Sequence, residues 1–129
     1  SLMHVHWAID NEYWNNIVLN ALTDVYGDPV LFIRVVKLHG NQWIQDQQID
    51  VFGRNNHWII SIGNHLYGST IKVMLITVIE GKGEEVIFES EAIALPLSYE
   101  DFKQNDLTFT KEIHTLNTID FPTEKRLSS

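Results

Sequence analysis

Cysteine is absent from the 129 residues, which excludes thiol nucleophiles, cysteine-ligated zinc, iron–sulfur clusters and any disulfide framework. A cysteine-free chain fits a reducing compartment, so the expected location is the cytoplasm. Positive charge is also scarce: 9 basic residues stand against 17 acidic ones, a formal net charge of −8. A field of that sign repels phosphate backbones and anionic membrane surfaces, which argues against nucleic acid as a partner. Long apolar runs are missing too. Residues 71–79 come nearest, but Lys72 and Thr77 interrupt them, and they fall well short of the roughly 18 residues a membrane span needs. The opening residues lack the basic and apolar regions of a secretion signal. No Gly-rich phosphate loop occurs, and no nucleophile-elbow signature surrounds Ser61, Ser69 or Ser90. The paired carboxylates Glu84/Glu85 and Glu100/Asp101 are neighbours in expected turns, a placement that suits solvation better than acid–base work across a cleft. The chain is therefore read as a non-enzyme, with no catalytic residue and no cofactor.

What the sequence does contain is strand pattern. Residues 3–9 alternate, with Val5, Trp7 and Ile9 opposite His4, His6 and Ala8, and that period of two predicts a half-buried strand. Asp10 or Asn11 then offers a helix N-cap. Apolar residues follow at helical spacing from Tyr13 to Val25 until Gly27-Asp28-Pro29, predicting a helix over 12–26. Further strands are expected at 30–38, 43–52, 57–62, 71–80 and 85–95, each closed by Gly, Asn or Pro. The first of these is apolar on both faces apart from Arg34 and Lys37 and reads as central. The second, with Gln45, Asp46, Gln47 and Gln48, reads as an exposed edge. Trp58, Ile60 and Ile62 share a face, and Trp58 is the first choice for the core. The arms 71–80 and 85–95 form a hairpin around Gly81-Lys82-Gly83. These elements predict an all-β, immunoglobulin-like antiparallel β-sandwich over residues 1–104, with one short helix after the first strand. Residues 105–129 form a C-terminal extension that wraps the domain, binds a partner or stays disordered.

The segments Val5-His6-Trp7-Ala8-Ile9, Phe32-Ile33-Arg34-Val35, His57-Trp58-Ile59 and Ser90-Glu91-Ala92-Ile93-Ala94-Leu95-Pro96 follow one another in that order. Together they resemble the bacterial domain of unknown function 4912 family over about residues 4–97. His57 stands where that family has Trp, Glu91 where it has Asn, and no acidic residue directly follows Trp7. The resemblance implies an immunoglobulin-like sandwich and, in relatives, association with sugar-processing proteins. It implies no established activity.

Three groups of residues are candidates for function. Trp43 lies among Gln42, Gln45, Asp46, Gln47 and Gln48, the flat aromatic and hydrogen-bonding amides that sugar-binding modules use against pyranose rings. A coplanar pair among Trp43, Tyr67 and Tyr99 would favour a glycan. Arg34 is a charge within an apolar strand and must find a carboxylate, from Asp50, Glu89 or Glu91, or else fork onto a partner's carboxylate. His4 and His6 project from one strand face about 7 Å apart. They are weak metal candidates that would need a third ligand such as His39, His65 or an acidic side chain. The ligand-binding candidates are thus Trp43, Gln45, Gln47, Tyr67 and Arg34, with no metal assigned. Protein–protein contact or self-association ranks first among functions and carbohydrate binding second; metal binding and catalysis rank last.

Overall fold

The computed structural model describes residues 2–97 and the strands Asp106–Ile113 and Arg126–Ser128. It is an all-β sandwich. Strand β1 (Leu2–Ile9) alternates as its sequence demands, with Met3, Val5, Trp7 and Ile9 buried. Helix α1 (Asn11–Asn20) follows, capped by the Asp10 carboxylate, which accepts the Tyr13 N–H at 2.7 Å. Then come β2 (Leu31–His39), β3 (Gln42–Val51), β4 (Asn55–Ser61), a 3₁₀ turn at Asn64–Leu66 and β5 (Thr70–Ile79). The chain continues through β6 (Gly83–Glu89), β7 (Ile93–Ala94), β8 (Asp106–Ile113) and β9 (Arg126–Ser128).

One sheet has the order β4-β1-β8-β9 and the other β3-β2-β5-β6, with β7 paired to β5. Pairing is antiparallel except between β1 and β8, which run parallel. Residues 106–113 and 126–128, read from the sequence as part of an extension, are strands of the first sheet. Tyr99 and the other residues of 98–105 lie outside the described residues, as do 114–125.

The core forms where the two inner faces meet. Val5, Trp7 and Ile60 from the first sheet join Ile33, Val35, Val73 and Leu75 from the second in one cluster, and α1 closes an end of it with Ile17. Trp58 is not fully buried as expected. It sits half-buried at the cluster's margin, with Phe52 edge-on to its ring at 5.4 Å. The central tryptophan is Trp7, 3% exposed, whose indole N–H donates to the Gly53 carbonyl at 2.9 Å.

Two local departures have physical causes. The helix ends at Asn20 rather than near Tyr26 because the next residues pair with the sheet. Ala21 bridges to Ile79, Leu22 N–H donates to Val78 O, and Thr23 bridges to Pro29, which folds residues 21–30 into a small hairpin. The arm expected at 85–95 is broken in two. An irregular register at Leu75/Ile76 lets Ile87 and Phe88 both turn inward, and the ladder ends at Ser90, whose N–H still donates to the Val73 carbonyl while its hydroxyl, in place of its carbonyl, accepts the Val73 N–H. A bulge of this kind re-aims every side chain beyond it.

Candidate functional site

Strand alternation divides the second sheet into an inner face at Leu31, Ile33 and Val35 and an outer face at Phe32, Arg34 and Val36. The outer face is roofed by long polar side chains. Arg34 lies opposite Gln48 on one side and Met74 on the other. Its guanidinium donates to both oxygens of Glu84, at 2.8 and 2.9 Å, and to Gln48 Oε1 at 2.9 Å, and it lies 5.3 Å from the centre of the Phe32 ring. Its carboxylate is thus Glu84, not Asp50, Glu89 or Glu91. Glu84 belongs to β6 rather than to the turn, because the strand begins at Gly83. The hydrogen bonds and charge of Arg34 hold the Glu84 carboxyl below the usual carboxylate range, and Glu84 in turn raises the guanidinium. A structural ion pair on the sheet surface accounts for this arginine.

Trp43 opens β3 on the same outer face, opposite Leu38 and 37% exposed. Lys72 Nζ stands 4.3 Å from the centre of its ring and also donates to Glu89 at 3.0 Å. One face of the indole is therefore already occupied by a cation. Gln45 is exposed beside it. Gln47 turns the other way and donates to the Ser61 carbonyl across the sandwich edge, while the neighbouring Asp46 pairs with His65. Tyr67 packs half-buried against the core. The structure thus brings Trp43, Gln45 and Arg34 onto one sheet face and removes Gln47 and Tyr67 from it.

The outer face of the first sheet carries a histidine cluster. His6 pairs with His57 in the ladder, and their rings stack at 3.9 Å with an 8° interplanar angle. His4 Nδ1 approaches His57 Nε2 to 3.1 Å. Desolvation first, and then the charges of His57 and His4, lower the His6 pKa from its ordinary value. The neighbour is His57 rather than His39 or His65, and it was missed because sequence alternation points His57 outward without showing which strand lies beside β1. Among the described residues no group of three His, Cys, Asp or Glu side chains is placed to hold a metal ion.

Two larger cavities, and a smaller one of about 230 Å³ beside Lys37, His39, Ile44, Gln45 and Asp46, open on the described surface. One of about 400 Å³ lies between α1 and the β5–β6 turn, lined by Tyr13, Asn16, Asn20, Lys82 and Glu85. Burial, and secondarily Glu85, raises the Tyr13 phenol above its ordinary value. The other, about 500 Å³, lies between the 21–30 hairpin and the end of β3. Neither was anticipated, because each joins segments distant in sequence.

No family model, curated protein or solved structure matches this chain. The segments Val5–Ile9, Phe32–Val35, His57–Ile59 and Ser90–Pro96 fall on β1, β2, β4 and the passage from β6 to β7. They supply the core residues Val5, Trp7, Ile33 and Val35, together with Arg34 on the outer face. No helix among the described residues is long and apolar enough to cross a membrane.

Proposed function

We propose that this protein is a non-enzymatic binding or adaptor module that acts through protein–protein contacts at the β3 edge. The observation that carries this reading is the state of that edge. β3 is ten residues long, pairs with β2 alone among the described residues, and exposes Trp43 and Ile44 at 37% and 47%. It contains no Lys, Arg or Pro, and of the devices with which natural sheets discourage a further strand it carries the charges of Asp46 and Asp50 and a bulge at Asp46. An extended segment of a partner that pairs with β3 would gain main-chain hydrogen bonds and meet Trp43 and Ile44 on alternate faces. The bulge at Val35/Val36 limits the pairing to a short stretch on either side of Asp46. The bacterial family resemblance implies no activity of its own but fits a partner among sugar-processing proteins, and the absence of cysteine fits a cytoplasmic setting.

Direct carbohydrate binding is the second reading, favoured by the exposed Trp43 beside Gln45 and Gln48. The Lys72 ammonium over the indole weighs against it.

Affinity capture with the wild-type chain and Ile44→Lys, followed by hydrogen exchange on the purified complex, tests the edge. The expected result is a partner that the variant loses and that protects β3 amides. A partner bound equally by both chains, or a glycan-array signal abolished by Trp43→Ala, would overturn the reading.

A further inference from the structure

The 21–30 hairpin presents its largest apolar side chains to water. Val25 is 93% exposed and Tyr26 86%, with Leu22 at 44% and, on the adjoining last turn of α1, Leu19 at 80%. Apolar residues concentrated in this way, rather than scattered singly, mark an interaction surface. The tip that carries them is held by several hydrogen bonds. Asp24 Oδ1 accepts the N–H groups of Tyr26 and Asp28, Asp24 N–H donates to Asp28 O, and Gly27 takes a φ of +83°. The exposed side chains therefore sit on a preformed turn, and ordering them on binding costs little.

Tyr26 also lines the 500 Å³ cleft, together with Val30 and Phe52, and the charged residues of its lining are Asp24, Asp28 and Asp50. Apolar walls between carboxylates suit a side chain with an aliphatic stem and a cationic head. The same charges disfavour a second copy of this chain, since a two-fold contact would set these aspartates against their own symmetry mates.

We infer that the cleft between Tyr26 and Phe52 is a docking site for a basic, apolar segment of a partner protein, receiving a lysine or arginine side chain between Asp28 and Asp50. The inference rests on the reading of the chain as a protein-binding module but not on the Trp43–Ile44 end of β3, so the two surfaces can fail separately.

The test is an amide chemical-shift titration of the full ¹⁵N-labelled chain with the capped pentapeptide lysine-leucine-lysine-phenylalanine-lysine. The control peptide has glutamate in place of each lysine. Saturable shifts are expected at residues 24–31 and 50–52, retained in Ile44→Lys. The affinity should fall about tenfold in Asp28→Asn/Asp50→Asn, which leaves the turn-forming Asp24 in place. Tyr26→Ser, at an exposed position, should weaken binding without changing the thermal midpoint. Equal binding of the glutamate peptide, or no effect of the two asparagines, would overturn the inference. Shifts confined to residues 42–48 of β3 and lost in Ile44→Lys would also overturn it while leaving the edge reading intact. A concentration-dependent dimer in light scattering that Val25→Lys dissolves would assign the face to a second copy and likewise reject the basic segment.

Discussion

Arg34 is the residue whose surroundings best separate structure from recognition. Its link to Glu84 runs from the Arg34/Met74 row of β2 and β5 to the Val78/Glu84 row of β5 and β6. The intervening outer-face residue on β5 is Ile76, and it is 0% exposed. The arginine stem and the ion pair therefore shield Ile76 and Phe32 from water, a role that depends on aliphatic length as well as charge. Glu84→Gln should cost no more than about 1 kcal/mol, as expected for a partly exposed pair. Arg34→Ala should cost more, and Arg34→Met should recover most of the difference. Urea unfolding of the three variants checks the order; equal losses for Ala and Met would show that charge alone matters. Because the folded Glu84 pKa is depressed, its contribution is present above the unfolded carboxyl value. It fades as pH falls through the folded value.

His6 titrates in a different window. Its folded pKa is lowered, so the folded state binds a proton less readily than the unfolded chain. Its contribution is complete above the unfolded value of about 6.5 and is lost as pH falls through the folded one. Denaturant midpoints at pH 7.5 and 5.0 should show a decline on acidification that His6→Ala reduces. An unchanged decline in the variant would place the effect in other groups.

Among the elements, α1 shows what could and could not be read from the residues. Its start was legible because Asp10 has the side chain that satisfies an otherwise unpaired first-turn N–H. Its end was not, because Val18, Leu22 and Val25 continue a helical spacing, while the competing pairing of Ala21 with Ile79 lies 58 residues away in the chain. Val18 is exposed on the helix and Leu22 and Val25 on the hairpin, so the periodicity that suggested a longer helix came from surface side chains rather than from the core. The break in the arm after β5 was hidden for a related reason: the irregularity at Leu75/Ile76 is a property of two strands, not of either sequence. Asp10→Ala should lower unfolding free energy by about 1 kcal/mol, with Asp10→Asn retaining most of it. A neutral alanine variant would mean that packing of Tyr13, Trp14 and Ile17 alone fixes the helix. At the candidate edge, the exposed, glutamine-rich character of β3 was readable from composition, but the cation over Trp43 was not, since Lys72 arrives from β5.

For the molecule as a whole, the sandwich was legible because alternating burial appears in each strand separately, whereas neighbour order and the parallel pairing of β8 with β1 depend on contacts distant in sequence. The outcome is a core that neither sheet can form alone. Val5 and Trp7 from the first sheet and Val73 and Leu75 from the second are all at most 3% exposed and belong to one cluster. Tight packing between the layers makes their stabilities interdependent. Val5→Ala and Leu75→Ala, on opposite sheets, should therefore lower the same transition, Leu75→Ala by about 2–5 kcal/mol and Val5→Ala by less, because fewer buried methyl groups are removed. In a Trp43→Phe background, which removes the tryptophan of the second sheet, emission reports on Trp7 and Trp58 of the first sheet and Trp14 of α1, while far-ultraviolet circular dichroism averages over both sheets. Coincident curves by the two probes in each variant are expected. Separation of the curves in Leu75→Ala, with fluorescence retained while circular dichroism falls, would show that the first sheet persists without the second and that the sandwich is two cooperative units.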